Sequence, residues 1–471
     1  MNLTDKIKKT FFSYHAISDN GKRQPPKTTI KTEDLELTAQ KRKKLNATIQ
    51  DAQRNMAILG WMIRKHLDYV TSFTLQVKTG DKNQDKIIEK KLNEWSKKEN
   101  CDIQRRLSLQ NMLRIFEATQ VVDGDGLLVK ISDQEQPKLQ GVEGNRIGKP
   151  SSKKELNKNI YDSINDHGLV VNEYGAVDQY CINTWDYSSR VFDRLLDWQE
   201  CIFDGYFHRF DQQRGVSPIA AAFNTLQDLY EGFDYSLVKA KMHAMMGVVI
   251  SSDNTTSSGF GEYDGEDGDT PDDDTEKYKF DASGTFKLEL DQGDKAELLE
   301  SKTPSTEFKE FSELMMAVGM LSLDLAYCFF DASKTNYSSM KAARGDYYKS
   351  AESKIKKNQN VLNNITDWVL PWMYDNGVIT VNPANIEYEW IPAGVPWIDE
   401  TKEVTAAALR IATGLSSRQI ECKKRGLDFV DVIEQLADEE AMAIKKSATI
   451  SIGQPGQTTT REEEQQGEND E

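Results

Sequence analysis

Cysteine, histidine and long apolar runs are scarce in this chain, and each scarcity removes a class of function. Only five cysteines occur in 471 residues. Cys101, Cys181, Cys201, Cys328 and Cys422 are widely spaced, odd in number and form no C-x-x-C pair. A disulfide framework or zinc knuckle does not fit that pattern, whereas a reducing compartment does. The five histidines (His15, His66, His167, His208, His243) form no H-E-x-x-H cluster, and no G-x-S-x-G elbow is present, so no familiar hydrolase site is written here. No stretch approaches the roughly 20 apolar residues that cross a bilayer. The start, Met1-Asn2-Leu3-Thr4-Asp5-Lys6, has no signal-peptide core. The expectation is a soluble cytosolic chain with no membrane partner. A basic excess is missing too: 59 Lys and Arg face 76 Asp and Glu, for a net charge of −17 and a pI near 5.0. Tight general DNA binding is disfavoured, although loose passage past DNA is not.

What the chain does have is two long amphipathic patterns around a polar insert. The first runs from Ser217-Pro218 to about Met246 and the second from Thr303-Pro304 to about Phe330. A hydroxyl residue followed by proline is a helix-start signal, since Pro needs no N–H at the first helical position. Ile219, Phe223, Leu226, Tyr230, Phe233 and Leu237 alternate at spacings of four and three, and Phe308, Phe311, Met315, Val318, Leu321 and Leu325 give the returning helix a similar face. So narrow a seam favours packing against another helix, in the same or a neighbouring chain. About 28 residues give a rod of roughly 42 Å. The chain therefore goes out along one helix, makes an excursion and returns along another. The insert Ser251–Lys279 contains Glu262, Asp264, Glu266, Asp267, Asp269, Asp272, Asp273 and Asp274. Beyond it, Gly284–Leu290 alternates like a strand, with Val248-Val249-Ile250 as its expected partner.

Upstream, residues 1–45 form a polar, basic-leaning arm. A helix is expected over Leu45–Val70, a strand over Phe73–Val77, helices over Asp85–Cys101 and Leu107–Thr119, and a strand over Gly126–Ile131. Val170–Val177 reads as strand, turn and strand, with Gly175 suited to a positive φ. Cys201–Phe203 and Tyr206–Phe210 supply more strand-like material. After Asn336 a helix of about thirty residues reaches Leu370, where Pro371 ends or kinks it. Ile386–Ile391 reads as a strand, and Glu403–Ala412 and Ser417–Ala443 as a helical unit. The Gln-, Thr- and Glu-rich end from Ser447 lacks the apolar content to fold. The fold class is α+β, mainly helical.

Three motifs are weighed for chemistry. Gly144–Ser151 has three residues between its glycines and Pro150 after its lysine, so it cannot cradle phosphates as a P-loop does. Asp123-Gly124-Asp125-Gly126 offers two carboxylates but reads better as a turn into the next strand. The acidic loop 262–274 departs from the calcium-binding spacing. No catalytic, cofactor or metal site is therefore expected, and the chain is not expected to be an enzyme.

Several stretches, taken in order, resemble the lambda-type bacteriophage portal proteins. Asp51-Ala52-Gln53-Arg54-Asn55 is similar to an early family segment. Val142–Ile147 followed by Gly168–Gly175 resembles the next. Arg214-Gly215-Val216-Ser217-Pro218 matches its RG-x-SP helix start. Asn336-Tyr337-Ser338-Ser339 with Ala342-Ala343-Arg344 matches a further step. The resemblance implies a portal-type subunit with an α/β wing, a two-helix stem, a small β-containing clip, a long tunnel helix and a helical crown. In this numbering 1–45 is a flexible arm, 46–216 wing, 217–246 stem helix and 247–302 clip with the acidic loop. Residues 303–330 are the second stem helix, 331–339 the tunnel loop, 340–399 the long helix and return to the wing, 400–446 crown and 447–471 a disordered acidic tail.

The implied function is a homo-oligomeric ring, usually of twelve subunits, at one capsid vertex of the virion, with assembly in the host cytoplasm. Double-stranded DNA would pass through it during packaging and ejection. Its partners would be the major capsid protein and scaffold, the terminase large subunit, then head–tail adaptors. Asp331, Ala332, Ser333, Lys334, Thr335, Asn336 and Tyr337 would face DNA, and Lys354, Lys356 and Lys357 would either line the channel or pair with acidic groups of adjacent chains. The eight acidic residues of the insert would contact partners. Ile219, Phe223, Leu226, Tyr230, Phe233, Phe308, Phe311 and Met315 would pack the stem. A non-channel structural or adaptor protein of a virus-like particle, and a metal-dependent enzyme, stay open as alternatives.

Overall fold

The computed structural model describes residues 29–133, 136–151, 156–186, 189–245, 248–252, 278–280, 286–288, 294–298, 305–394 and 399–446. The eight acidic residues of the insert, Glu262 to Asp274, lie outside the described residues, as do Thr303 and Pro304. The chain is mainly helical α+β and divides into two compact units, residues 1–221 with 320–471, and residues 222–319.

In the larger unit, the long pattern expected over Leu45–Val70 is two helices, α1 (Ala39–Asn55) and α2 (Ala57–Val70), broken at Met56 in extended conformation. Ile49, Leu59, Met62, Ile63 and Val70 are buried along their inner face. Strand β1 (Phe73–Lys78) and helix α3 (Lys82–Trp95) follow. Asp81 caps α3 by accepting from Asn83 N at 2.9 Å. A separate turn of helix at Lys98–Cys101 takes up the remainder of the stretch expected to be one helix. Helix α4 (Leu109–Asp123), capped by Ser108, ends at Gly124 with φ +97°, where an L side chain would be strained.

Strands β2 (Asp125–Asp133), β3 (Gln136–Glu143), β4 (Leu169–Val171), β5 (Val177–Asp186), β6 (Ser189–Asp197) and β7 (Cys201–Gly205) make two three-stranded antiparallel sheets, ordered β3-β2-β7 and β4-β5-β6. The turn between β4 and β5 places Gly175 at φ +80°. Tyr206–Phe210, expected as strand, is irregular. Tyr206 N still bonds Gly124 O at 2.9 Å, one step beyond the Asp125–Gly205 pair, and regular pairing stops after it.

The smaller unit holds helix α5 (Phe223–Met245), strands β8 (Val248–Ser252), β9 (Tyr278–Phe280), β10 (Phe286–Leu288) and β11 (Asp294–Leu298), and helix α6 (Thr306–Met320). Leu226 lies against Gly319 at one end, and Phe233 meets Phe308 edge-on at 6.2 Å at the other, so the two helices run antiparallel. Gly319 permits that approach, because a Cβ there would stand 2.5 Å from Leu226. The strand pairing differs from expectation. Val248–Ser252 pairs with Asp294–Leu298, and Phe286–Leu288 pairs with Tyr278–Phe280. Local alternation marks a strand but not its partner. Helix α6 is also shorter than the pattern over 303–330. Ser305 caps it, accepting from Phe308 N at 3.2 Å.

Back in the larger unit, the chain turns through Leu321–Leu323 and a left-handed Asp324 (φ +59°), then a second short turn at Tyr327–Phe329. Helix α7 (Tyr337–Asp375) runs through Pro371 instead of ending there. An interior proline costs about 3 kcal/mol, but Val369, Leu370 and Met373 are buried beside it. Each such burial contributes roughly 1.5–3 kcal/mol, so core packing outweighs the lost bond. Strand β12 (Glu387–Pro392) pairs antiparallel with β1, joining segments three hundred residues apart. Helices α8 (Glu400–Ala412), α9 (Arg418–Lys424) and α10 (Phe429–Lys445) complete the unit. Gly426 (φ +73°) splits the run expected over Ser417–Ala443. The main core gathers α3, α4 and α7 over β1, through Leu75, Trp95, Phe116, Ile365 and Val369.

Candidate functional site

The segment 331–336 is strung between two fixed ends. Upstream, Phe329 and Phe330 sit in an aromatic cradle: Trp61 meets Phe330 at 5.5 Å, Tyr69 stacks on Phe329 at 6.0 Å, and Tyr347 meets Phe329 edge-on at 5.4 Å. Such pairs add about 0.5–1.5 kcal/mol each beyond area burial. Downstream, Asn336 Oδ1 accepts from Ser339 N at 2.8 Å and caps α7, satisfying one of the N–H groups a helix start leaves open. Between these ends Ala332, Ser333 and Lys334 are exposed, Asp331 and Thr335 half-buried. Asp331 Oδ1 accepts from Ser333 N at 2.8 Å, and Thr335 N donates to Ala332 O at 3.1 Å. Tyr337 lies beneath Lys402, whose Nζ stands 5.0 Å from the ring centroid.

The three lysines expected near a channel or on a neighbouring chain find partners within this chain. Lys354 Nζ bonds Asp324 Oδ2 at 2.7 Å, tying α7 to the left-handed turn before the loop. Lys356 pairs with Glu352 one turn earlier at 2.9 Å. Lys357 reaches Glu117 Oε2 at 3.0 Å and lies 4.3 Å above the Tyr206 ring.

Glu117 is the centre of a buried network that no local pattern announces. His66 Nε2 stands 3.1 Å and Tyr206 Oη 2.6 Å from its Oε1. Burial alone would raise the Glu117 carboxyl. The Lys357 ammonium and the bonds from His66 and Tyr206 overcome that and hold it well below the usual carboxylate range. Burial pushes the His66 pKa down and the Tyr206 hydroxyl well up. The network therefore holds one carboxylate and one ammonium among neutral donors, and it pins α2, α4 and α7 to the segment after β7.

A second anchor explains the Arg214-Gly215-x-Ser217-Pro218 motif. Arg214 is 1% exposed and spends all five N–H donors. Nε and Nη2 form a fork on Asp125 at 2.6 and 2.8 Å. Nη2 also reaches Gly144 O at 2.7 Å, and Nη1 reaches Ile147 O at 3.1 Å and His167 O at 2.9 Å. Gly215 N donates to Asp125 Oδ2 at 2.8 Å, and a Cβ on Gly215 would stand 2.0 Å from Gly124 O. Ser217 Oγ donates to Val121 O at 2.6 Å and accepts from Ile219 N at 3.2 Å. Asp125 is thus consumed by a guanidinium. Asp123 accepts from Gln50 Nε2 at 2.8 Å, and burial pushes its pKa up to about 6. Among the described residues no group of three or more His, Cys, Asp or Glu side chains is gathered for a metal, and no helix is long and apolar enough to cross a membrane.

Of the residues expected to pack the helix pair, Ile219, Phe223 and Leu226 are buried, and Tyr230, Phe233, Phe308 and Met315 half-buried. Phe311 is 57% exposed. With Leu314 (62%) and Val318 (42%) it forms an apolar stripe at i, i+3 and i+7 along α6, turned away from the side that packs Ser312 and Met316.

Residues 20–353 match the profile of the family described as phage portal protein, lambda family. The chain belongs to the lambda family of phage portal proteins. A probable portal protein of Halomonas phage phiHAP-1 is 23% identical over 408 residues, covering 80% of this chain and 73% of its own length. The neck of an empty GTA particle, computed with C6 symmetry, shares the fold at a TM-score of 0.51 and 13% identity, over 80% of this chain and 93% of its own. The GTA neck computed with C12 symmetry aligns at a TM-score of 0.49 and 14% identity, over 81% and 93%. Lambda-family membership makes this portal protein a structural component, and the motif residues 214–218 and 336–344 are where its sequence and its anchors coincide.

Proposed function

We propose that twelve copies of this chain close into a ring at one capsid vertex, whose bore passes double-stranded DNA inward during packaging and outward during ejection. The observation that carries this reading is the stripe Phe311, Leu314 and Val318, an exposed apolar face on one of two antiparallel helices. Three large side chains in one row are not stabilised in water, and a neighbouring copy buries them. Residues 331–337 then face the DNA from anchored ends, with Lys334 offering one cation per subunit. A single loop lysine per subunit centres a polyanion without holding it, because affinity grows with each neutralised phosphate. Residues 217–246 and 303–330 serve as stem, 247–302 as clip, 46–216 as wing and 400–446 as crown. The acidic run Glu262–Asp274 meets the terminase motor and then the head–tail adaptors, and the capsid protein and scaffold hold the rim. The role is architectural, without catalysis by this chain.

Imaging of the purified full chain at high concentration tests the ring: an annulus with a central hole is expected, and a monomer or a hole-less oligomer overturns it. The loop assignment is tested separately by a packaging assay on Lys334→Ala. Packaging and ejection equal to the parent would remove that assignment and leave the ring standing.

A further inference from the structure

The start of α1 presents a buried cation with unused donors. A partly enclosed pocket of about 70 Å³ is lined by Ala39, Arg42, Lys43, Asn145, Lys149 and His167, among others. Arg42 is 6% exposed; its Nη1 donates to Gly215 O, while Nε and Nη2 find no acceptor among the described residues. The charge that weighs most on it is another cation, Arg214, whose own donors are all spent. Burial, then Arg214, pushes the Arg42 guanidinium down to about 10 even with Asp125, Asp34 and Glu33 opposing. Ala39, the first residue of the 17-residue α1, lines the same pocket, and Thr38 supplies no side-chain cap. The N–H groups of a first turn have no partner inside the helix, and the helix dipole is positive there. Two further groups are already committed: Lys149 Nζ donates to Ile164 O at 2.6 Å, and His167 Nε2 faces Asp34 O at 3.2 Å. The acceptors presented are Asn145 Oδ1, the unpartnered His167 Nδ1 and, on an exposed residue, the Asp166 carboxylate, while the Asn46 amide can turn either end inward.

We propose that this pocket binds one small tetrahedral oxyanion, inorganic phosphate or sulfate, held by Arg42 Nε and Nη2, by the first-turn N–H groups of α1 and by Lys43 at the rim. Size limits the class. A pocket of about 70 Å³ seats one compact anion, whereas most of a nucleotide or peptide would have to lie outside it. Planar guanidinium donors suit the oxygen spacing of such an anion, and helix N-termini are ready acceptors of phosphate. The bound anion would join α1, the Gly144–Lys149 segment and the Arg214 anchor through one charge.

The test titrates inorganic phosphate, and separately sulfate, into the full chain against chloride at matched ionic strength, by calorimetry and thermal unfolding. A saturable rise in Tm is expected, as for any ligand that binds only the folded state. Arg42→Met should abolish it. Lys43→Gln, at an exposed position that leaves folding intact, should weaken binding several-fold, while Lys41→Gln, outside the pocket, should change nothing. No saturable response beyond chloride, or Lys43→Gln titrating like the parent, overturns the proposal. A density map of the protein in phosphate with only water-sized peaks beside Arg42 does the same.

Discussion

Asp125 and Asp204 show how two carboxylates a few strand positions apart meet opposite fates. Asp125 lies under the Arg214 fork and forms part of the packing of the β2 start. Asp204, on β7 opposite Gly126, accepts only its neighbour Gly205 N at 2.7 Å within hydrogen-bond reach of the described residues. Burial raises its pKa to about 6, against the opposing pull of Lys357 and the Gly205 bond. An acid whose folded pKa lies above its unfolded value of 3.8 binds extra protons on folding between those values. Its favourable share is whole below pH 3.8 and is lost as pH rises through 6. Asp204→Asn removes that loss. The variant should be more stable than the parent by roughly 1–2 kcal/mol at pH 7.5, with the gap closing below about pH 4. Urea unfolding across that range checks it; a variant less stable at pH 7.5 would show that the charge of Asp204 is needed beside Lys357.

Helices announced themselves through spacing, because the period that places Phe223 and Leu226 on one face is set by neighbours in the sequence. The cap residue Asn336 is legible for the same reason, since it acts within three positions; Ser217-Pro218, expected to open the first long helix, instead opens a single short turn over Pro218–Ala221, and α5 begins at Phe223. Strand partners were not legible. Nothing near Phe73 points to Pro392, and nothing near Val248 selects Asp294–Leu298 over Phe286–Leu288. The buried site was hidden likewise: Asp125 and Arg214 are 89 positions apart, and Lys357 reaches Glu117 across 240. Arg42, inside the stretch expected as a polar, basic-leaning arm, turns inward because α1 begins at Ala39 and sets that face toward Gly215. On α6, spacing found the seam but could not divide it between the partner helix and a second copy. That division makes a prediction. Phe311→Ser with Leu314→Ser alters exposed positions only, so the unfolding free energy should move by no more than about 0.5 kcal/mol per site, while ring formation falls sharply. Mass photometry with denaturant unfolding separates the two effects, and an unchanged ring population would place the subunit contact elsewhere.

Across the whole molecule, charge is distributed very unevenly. Residues 253–277 carry ten acids and one lysine, and residues 447–471 six acids and one arginine. Those fourteen excess negatives leave the other 421 residues at a net of only −3. In the proposed ring the near-neutral part would meet little repulsion, whereas every added copy would bring one more acidic insert. The repulsion between such inserts is long-range at low salt, where the screening length is roughly 30 Å at 0.01 M, and short-range near 0.1 M, where it is roughly 10 Å. Contacts through Phe311, Leu314 and Val318 depend little on salt in that range. Ring formation by the full chain should therefore rise several-fold between about 10 and 200 mM salt, and deletion of residues 253–277 should raise it at low salt and flatten the dependence. Mass photometry of both proteins across that series reads the difference. Rings that instead dissolve as salt is added would mean that ion pairs between subunits hold them, not the apolar stripe of α6.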